Sequence, residues 1–309
     1  MIPIHPDDQA WFWTPEWQAG EAEVDEAMTR GQRGRVFGGG EEFLAFLDQN
    51  SKPASYPGWV GETGRPSMPD GQTAHVWWGR RRDASPRLAG LLDQAERQRW
   101  ASYRREEDRE RFLVGCALAK TVIAACAGRR PEQVSFDRTC RHCGKPHGKP
   151  AARDIGLEHS VAHSGDVVAV AVARAPVGVD VERLEGRPRR PGGGDPEALA
   201  RMVLSDTERA ALAAVQPSGR DRAFLVAWTR KEAVTKAKGD GLRVPFGDVV
   251  VAGAEGAPRL VAWPYPQAPQ GVSLHDLDAG RGYVGALAVI GRCDEVLVKD
   301  GSALLAGVR

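Results

Sequence analysis

The sequence predicts an α+β fold built from two similar halves, on three observations. Continuous apolar residues of β type occur at 167–172. Residues 112–127 and 221–238 carry apolar side chains at helical spacing, and each segment is followed by a glycine that ends a helix. Strands and helices follow one another in similar order over 74–175 and 176–309, which predicts two α+β halves.

The composition is that of an ordinary globular protein. The chain has 309 residues, of which 42% are hydrophobic and 27% charged, and its formal net charge is +1. No apolar run approaches the roughly 18 residues of a membrane span, and the N-terminus lacks the pattern of a secretory signal. We therefore expect a cytoplasmic protein that does not enter a membrane. The small net charge gives no general attraction to nucleic acid, and the five scattered cysteines do not form a disulfide framework.

The N-terminal region differs in composition from the rest of the chain. Residues 1–49 contain an aromatic cluster at 11–17, and we expect a helical extension there. Residues 50–73 are rich in proline and glycine, which predicts a flexible linker. Segment 8–23 resembles the C-terminal tail of small AbrB-like antitoxins without their DNA-binding portion, so we assign it no chemistry.

The other elements follow from local patterns. The first half is predicted to begin with a strand at 74–78, a short helix at 86–92 and the long helix at 112–127. A turn signal at Ala175-Pro176 separates the strand at 167–172 from another at 177–181. The second half is predicted to contain helices at 197–204, 206–214 and 221–238 and strands at 249–251, 259–263 and 283–290.

Two carboxylates stand on one side of a predicted strand. In the segment Gly-Val-Asp-Val-Glu at 178–182, the period of two places Asp180 and Glu182 on the face opposite Val179 and Val181. Close carboxylates repel unless they are protonated, paired or bridged by a cation, and Mg²⁺ prefers oxygen ligands. A solvated edge strand with alternating charges is the alternative, and for this short pattern alone we favour it.

A third carboxylate lies on the predicted helix at 221–238. Four side chains recur every four residues and form one stripe: Phe224, Trp228, Glu232 and Lys236. The aromatic residues anchor such a helix in the core, while Glu232 and Lys236 supply an acid and a cation one turn apart. A surface helix with an ordinary Glu–Lys pair, worth roughly tenths of a kcal/mol, is the alternative.

Together these segments resemble the two signatures of the Sfp-type 4′-phosphopantetheinyl transferases. The first signature is the segment at 178–182, and the second runs from Trp228 to Leu242 as Trp-Thr-Arg-Lys-Glu-Ala-Val-Thr-Lys-Ala-Lys-Gly-Asp-Gly-Leu. Further matches occur in the family's order at 108–114, 147–150, 161–164 and 282–289. The resemblance covers about 74–290. It implies the family's fold, a pseudo-two-fold pair of similar α+β subdomains, here with an N-terminal extension.

The resemblance also implies an activity. Members of this family transfer 4′-phosphopantetheine from coenzyme A to a serine of an apo acyl or peptidyl carrier protein and release 3′,5′-ADP, in fatty acid, polyketide or nonribosomal peptide synthesis. By resemblance, Asp180, Glu182 and Glu232 hold Mg²⁺, Glu232 is the base for the serine hydroxyl, directly or through a water, and Lys236 contacts the pyrophosphate. Because two halves supply internally what a dimer would, we expect a monomer.

The family's basic contacts to coenzyme A map onto Arg99, Arg111, Lys149 and His163, with Arg97 as a further candidate. Arginine suits phosphate because its planar guanidinium binds two oxygens and stays charged. Without the resemblance, these arginines would be interpreted as a solvated helix face paired with neighbouring glutamates.

Two positions need separate comment. Ala162 departs from the family pattern, since serine usually precedes the motif histidine, so we expect that contact to be lost and replaced by Ser160 or a backbone group, or coenzyme A to bind more weakly. Glu208 falls where family members have an acidic residue, and its spacing from Ser205 also predicts a capping box. We place Glu208 outside the metal set.

The cysteines suggest a rival hypothesis. Cys140, Cys143 and His147 have spacing suited to zinc, with His142 or His159 available as a fourth ligand. Because no second Cys-x2-Cys occurs, we do not expect a structural zinc ion. The rival is a non-catalytic protein that binds coenzyme A or zinc and serves an interaction, and the intact carboxylates argue against it.

Overall fold

The structure is a computed structural model that describes residues 66–140, 144, 148–152, 154–184, 196–240, 244–254 and 256–308. The predicted extension at 1–49 and most of the predicted linker at 50–73 lie outside these residues, so both stay predictions. Among the helices of the described part, none is long and apolar enough to cross a membrane.

In the described part of the chain, ten strands form three sheets. In chain order they are β1 (Thr73–Arg80), β2 (Ala151–Ala152), β3 (Leu157–Ser164), β4 (Val167–Ala173), β5 (Val177–Arg183), β6 (Val250–Val251), β7 (Leu260–Ala262), β8 (Val272–Leu277), β9 (Tyr283–Ile290) and β10 (Glu295–Asp300). The large sheet has the order β10-β1-β4-β3-β2, the second sheet has the order β5-β9-β8, and β6 pairs with β7.

The helices cover the outer faces of the two larger sheets. They are α1 (Gln94–Ser102), α2 (Glu106–Ala127), α3 (Pro196–Val203), α4 (Asp206–Ala214), α5 (Arg220–Lys238) and α6 (Ser302–Ala306), and a 3-10 helix spans Pro86–Leu91. The long helices α2 and α5 end at Gly128 and Gly239, which have φ of 64° and 80°. Glycine adopts this left-handed conformation without steric cost, so both predicted helix ends are confirmed.

The two halves share one order of elements. A first strand is followed by a long helix and then by a hairpin, as β1, α2, β3, β4 and again as β5, α5, β8, β9. In each half the second strand of the hairpin pairs antiparallel with the first strand, β4 with β1 and β9 with β5. This repeat confirms the predicted pair of similar α+β subdomains.

The layers run helix, sheet, sheet, helix. Val168 and Val170 of β4 pack with side chains of α2 in one core cluster. Ala169 and Ala171 point the other way and pack with Val179 of β5 between the two sheets. Alternate side chains on a strand face opposite sides, so the β5 residues between Val177 and Val181 that do not enter this inner layer face α5.

The structure differs from the expectations in several places. No strand is predicted at 157–164 or at 272–277, but Leu157–Ser164 forms β3, which pairs with β4, and Val272–Leu277 forms β8, which pairs with β9. The strands on either side of Ala175-Pro176 belong to different sheets. At the C-terminal end, β10 pairs in parallel with β1 and Leu305 of α6 enters the core beside α2, so this segment joins the sheet of the first half.

Candidate active site

Strand β5 and helix α5 come into backbone contact at Gly178. A Cβ atom added there would lie 2.0 Å from the carbonyl oxygen of Ala233 and 2.4 Å from the amide nitrogen of Ala237. No residue with a side chain fits at this distance, so glycine is required for the close approach. Gly178 opens the first signature, and a glycine inside an apolar strand is the sequence signal for this role.

The close approach brings Asp180 of β5 against Lys236 of α5. The Lys236 Nζ donates a hydrogen bond to Asp180 Oδ1 at 2.7 Å, and Asp180 is only 5% exposed. Burial raises the pKa of the Asp180 carboxyl, and the lysine opposes this shift in part. Burial lowers the pKa of Lys236, but Asp180 and Glu232 outweigh it and raise that pKa, so the ammonium stays charged at neutral pH.

The other two predicted carboxylates lie on either side of this pair. Glu232, one helical turn before Lys236, has its Oε2 at 4.0 Å from the lysine Nζ. Glu182 follows Asp180 on the same face of β5, and its Oε2 accepts a hydrogen bond from Ser164 Oγ at 2.9 Å. The structure thus brings the predicted stripe of α5 opposite the predicted face of β5.

The donor set has the chemistry of a magnesium site, although the three carboxylates are not gathered round one point. In the described part of the chain, no group of three His, Cys, Asp or Glu side chains is placed to hold a metal ion. Lys236 occupies the space between Asp180 and Glu232 instead. Asp180 Oδ2 is buried and has no hydrogen-bond partner among the described residues, and carboxylate oxygens are ligands that Mg²⁺ prefers. The magnesium assignment therefore stays a prediction.

The turn between β3 and β4 adds a basic region beside this pair. Arg111 of α2 donates from Nη1 to the carbonyl oxygen of Gly165 at 2.7 Å and from Nη2 to the Asp108 carboxylate. Burial and the nearby Arg111 lower the pKa of the half-buried His163 to about 4, and Lys236 contributes in the same direction. His163 is therefore neutral at pH 7, and it lies close enough to Arg111 and Lys236 to interact with both electrostatically.

The remaining predicted coenzyme A contacts lie on other surfaces of the same region. Arg99 is exposed, and its guanidinium carbon lies 6.0 Å from the centre of the Phe112 ring. Phe112 directly follows Arg111 in the sequence. The Lys149 Nζ donates to the carbonyl oxygen of Ala237 at 3.3 Å, at the C-terminal end of α5. The Nε of Arg97 donates to the carbonyl oxygen of Leu92. The roles of Arg97, Arg99 and Lys149 towards coenzyme A stay predictions.

The face of β3 that carries Ala162 points inward. Ala162 is buried between the sheets, and Ser160 on the same face is also buried, where its Oγ accepts from the amide of Val179 at 3.1 Å. Ser160 is thus used inside the fold, which argues against its replacing a lost contact to the nucleotide.

Two fully buried cations in the second signature were not assigned from the sequence. Arg230 donates to both carboxylate oxygens of Asp276 at 2.8 and 2.6 Å. Lys231 Nζ lies 2.6 Å from Glu208 Oε2, and Glu208 also forms the predicted capping box with Ser205. Burial lowers the pKa of Lys231 and the glutamate opposes this. A charged side chain on a helix is ordinarily expected to be exposed. Its burial can be predicted only when its partner, which is distant in sequence, is known.

The zinc hypothesis rests mostly on residues outside the described part, since 141–143 and 145–147 are among those not described. Cys140 is buried. His159 is 1% exposed, its ring centroid lies 4.3 Å from that of Phe136, and burial lowers its pKa to about 3. His159 therefore belongs to the core beside an aromatic ring.

Comparison with known proteins identifies similar sequences along most of the chain. The family model described as 4′-phosphopantetheinyl transferase superfamily matches residues 176–288, and the model described as 4′-phosphopantetheinyl transferase, N-terminal, matches residues 77–175. A 4′-phosphopantetheinyl transferase of Bacillus subtilis is 27% identical over 219 residues, which are 71% of this chain and 92% of that protein.

Two further relatives share more identity over shorter stretches. The 4′-phosphopantetheinyl transferase psf-1 of Bacillus pumilus is 30% identical over 55% of this chain and 68% of that protein. The 4′-phosphopantetheinyl transferase AcpT of Escherichia coli strain K12 is 32% identical over 50% of this chain and 67% of that protein.

Proposed function

Because this chain belongs to the 4′-phosphopantetheinyl transferase family, we propose that Asp180, Lys236 and Glu232 form the centre at which it transfers 4′-phosphopantetheine to carrier proteins. Coenzyme A is the substrate that supplies the group. The observation that supports this centre most directly is the 2.7 Å contact between Lys236 Nζ and Asp180 Oδ1, with Glu232 Oε2 at 4.0 Å from the same nitrogen.

The reaction assigned to this centre is a displacement at phosphorus. The hydroxyl oxygen of a carrier serine attacks the phosphorus that bears pantetheine, the bond from that phosphorus to the oxygen of 3′,5′-ADP breaks, and the serine proton passes to the Glu232 carboxylate. Negative charge gathers on the departing oxygen, and the Lys236 ammonium offers a fixed positive charge to it. Positioning and charge neutralisation supply most of the catalysis in such transfers.

The magnesium role belongs to Asp180, Glu182 and Glu232. Their oxygens fit Mg²⁺ in chemical type, and Asp180 Oδ2, which has no hydrogen-bond partner among the described residues, fits a cation. When bound, Mg²⁺ supplies neutralising charge to the pyrophosphate of coenzyme A.

We assign the phosphates of coenzyme A to the basic region beside this centre. Arg111 donates to the carbonyl oxygen of Gly165, two residues after His163. Burial and, after it, Arg111 lower the pKa of His163. A neutral His163 donates one hydrogen bond, so the charge for a phosphate comes from Arg111, with Arg99 and Lys149 as outer contacts. The protein is further proposed to act as a cytoplasmic monomer that binds no nucleic acid.

The test is direct. The purified chain is incubated with coenzyme A, Mg²⁺ and several apo carrier proteins, and the mass of each carrier is measured. We expect a phosphopantetheine adduct on at least one carrier and no adduct when the carrier serine is replaced by alanine. An absence of adduct on every carrier would contradict the proposal and favour the non-catalytic alternative.

A further inference from the structure

Two serine hydroxyls join strands β3 and β5, which belong to different sheets. Ser160 Oγ accepts from the Val179 amide and Ser164 Oγ accepts from the Arg183 amide, both at 3.1 Å. The two bonds are four residues apart on each strand, so both serines lie on one face of β3. The other edge of β5 pairs with β9, and these hydroxyls therefore provide partners for amides on the edge of β5 away from β9.

Of these two serines, only Ser164 connects the backbone of β5 to a carboxylate of the candidate active site. Its Oγ accepts from the Arg183 amide and donates to Glu182 Oε2 at 2.9 Å. A serine hydroxyl has one proton, so a bond accepted from the backbone and a bond donated to the carboxylate give the hydroxyl a defined orientation. Ser160, by contrast, is buried between the sheets, and its bond to Val179 reaches no carboxylate.

Contacts from both halves hold the turn that follows Ser164. The carbonyl oxygen of Gly165 accepts from Arg111 Nη1 at 2.7 Å, and the Asp166 amide donates to the Tyr283 hydroxyl at 3.0 Å. A Cβ atom added at Gly165, which has φ of 55°, would lie 2.6 Å from the Tyr283 hydroxyl oxygen. The turn therefore packs tightly against β9. These contacts fix the backbone position from which the Ser164 side chain extends.

We propose that Ser164 is a positioning residue that orients the Glu182 carboxylate for metal binding, a role it adds to joining the two sheets. The inference rests on the proposed function, in which Glu182 is a metal ligand. A side chain that hydrogen-bonds a ligating carboxylate fixes its direction, and loss of such a bond typically weakens metal affinity by roughly 10- to 100-fold.

The experiment compares Ser164→Ala with Ser160→Ala, because each removes one hydroxyl between β3 and β5. Binding of Mn²⁺ to each purified variant is measured by electron paramagnetic resonance, without coenzyme A or carrier. We expect both variants to lower the melting temperature by similar amounts, roughly 2–4 °C. We expect Ser164→Ala to weaken Mn²⁺ binding at least about tenfold, and Ser160→Ala and Ser164→Thr to bind Mn²⁺ like the unaltered chain.

The outcomes separate the inference from the function on which it rests. Equal Mn²⁺ affinity of Ser164→Ala and Ser160→Ala, with binding by the unaltered chain, would overturn the role of Ser164 alone. If the unaltered chain binds no Mn²⁺, the metal assignment fails and the role of Ser164 fails with it. If the unaltered chain binds Mn²⁺ but transfers no phosphopantetheine, the proposed function fails, and the comparison of the two serine variants still decides how Glu182 is held.

Discussion

The two halves of the molecule contain the same buried ion pair. In the first half Glu96 of α1 pairs with Lys120 of α2, and in the second half Glu208 of α4 pairs with Lys231 of α5, each at 2.6 Å. Both glutamates occupy the third position of a helix with a capping box. Each lysine also donates to a carbonyl oxygen two residues before the helix cap, that of Leu91 or Val203.

The halves differ just beyond this shared pair. The residue that follows the paired lysine is Thr121 in the first half and Glu232 in the second. The residue five positions after the same lysine is Ala125 in the first half and Lys236 in the second. The distance between strand and helix differs as well. A Cβ atom added at Gly79 of β1 would meet the Val114 side chain at 2.9 Å, whereas at Gly178 of β5 it would meet helix backbone at 2.0 Å. Among the described residues, the two halves share a scaffold on which the second half alone places strand and helix carboxylates around one lysine.

The largest effect is expected from making the second half like the first at Lys236. Lys236→Ala removes the cation beside Asp180 and Glu232, and we expect transfer to slow by roughly 10²- to 10³-fold because a preorganised charge is lost. Lys238→Ala, two residues later, serves as the control, since Lys238 pairs with Asp240 at 3.4 Å. Single-turnover transfer to a carrier measures both rates. Equal rates in the two variants would contradict a role for Lys236.

The shared ion pairs give the next prediction. Lys231→Met and Lys120→Met each leave a buried glutamate without its cation, and we expect each to lower the free energy of unfolding by about 3–5 kcal/mol. Urea titration followed by circular dichroism measures both. Because Lys231 precedes Glu232 on α5, Lys231→Met should also slow transfer under conditions where the protein is folded, and Lys120→Met should not. Equal transfer rates in folded samples would show that the pair of the second half is only structural.

The strand glycines sharpen the comparison further. Gly178→Ala forces β5 and α5 apart because its new methyl group meets helix backbone, and we expect a loss of about 1–3 kcal/mol or more in unfolding free energy. The new methyl group of Gly79→Ala meets side chains, most closely those of Val114 and Leu118 of α2, which can move, so its cost should be smaller. Thermal melts of the two variants test this order. A greater loss for Gly79→Ala would argue against a special contact at Gly178.

A further comparison concerns pH and two strand histidines. His159 of β3 is buried with its pKa lowered to about 3, whereas His275 of β8 is half-buried and has a pKa lowered by burial. As pH falls below about 6.5, the unfolded chain protonates His159 and the folded chain does not, so stability falls by roughly 1.4 kcal/mol per pH unit from this group until pH nears 3. In urea titrations between pH 7 and 4, the free energy of unfolding should fall less steeply with falling pH for His159→Phe than for His275→Phe. Equal slopes would contradict a buried, neutral His159.

The features that could be predicted from the sequence are those that depend on local pattern. The period of two along β5 was enough to place Asp180 and Glu182 opposite the buried valines, and glycines marked the ends of α2 and α5. Strand β3 was missed because its polar side chains mask a segment whose partner is β4.

The rest depends on tertiary contacts. The Lys236–Asp180 distance follows from the backbone approach at Gly178, and the partner of Arg230, Asp276, lies 46 residues away. The roles of Glu182 and Glu232 toward a metal ion depend on a ligand set that spacing alone does not fix.

Replacement of Glu232 by glutamine tests the central claim most directly. The variant removes the proposed base and keeps the shape of the side chain, and Thr121→Val at the corresponding position of the first half is its control. Coenzyme A binding is measured by isothermal titration calorimetry and transfer by the mass of the carrier. We expect Glu232→Gln to bind coenzyme A measurably and to slow transfer by roughly 10²- to 10⁴-fold, with Thr121→Val unchanged. Transfer by Glu232→Gln at the rate of the unaltered chain would contradict the account.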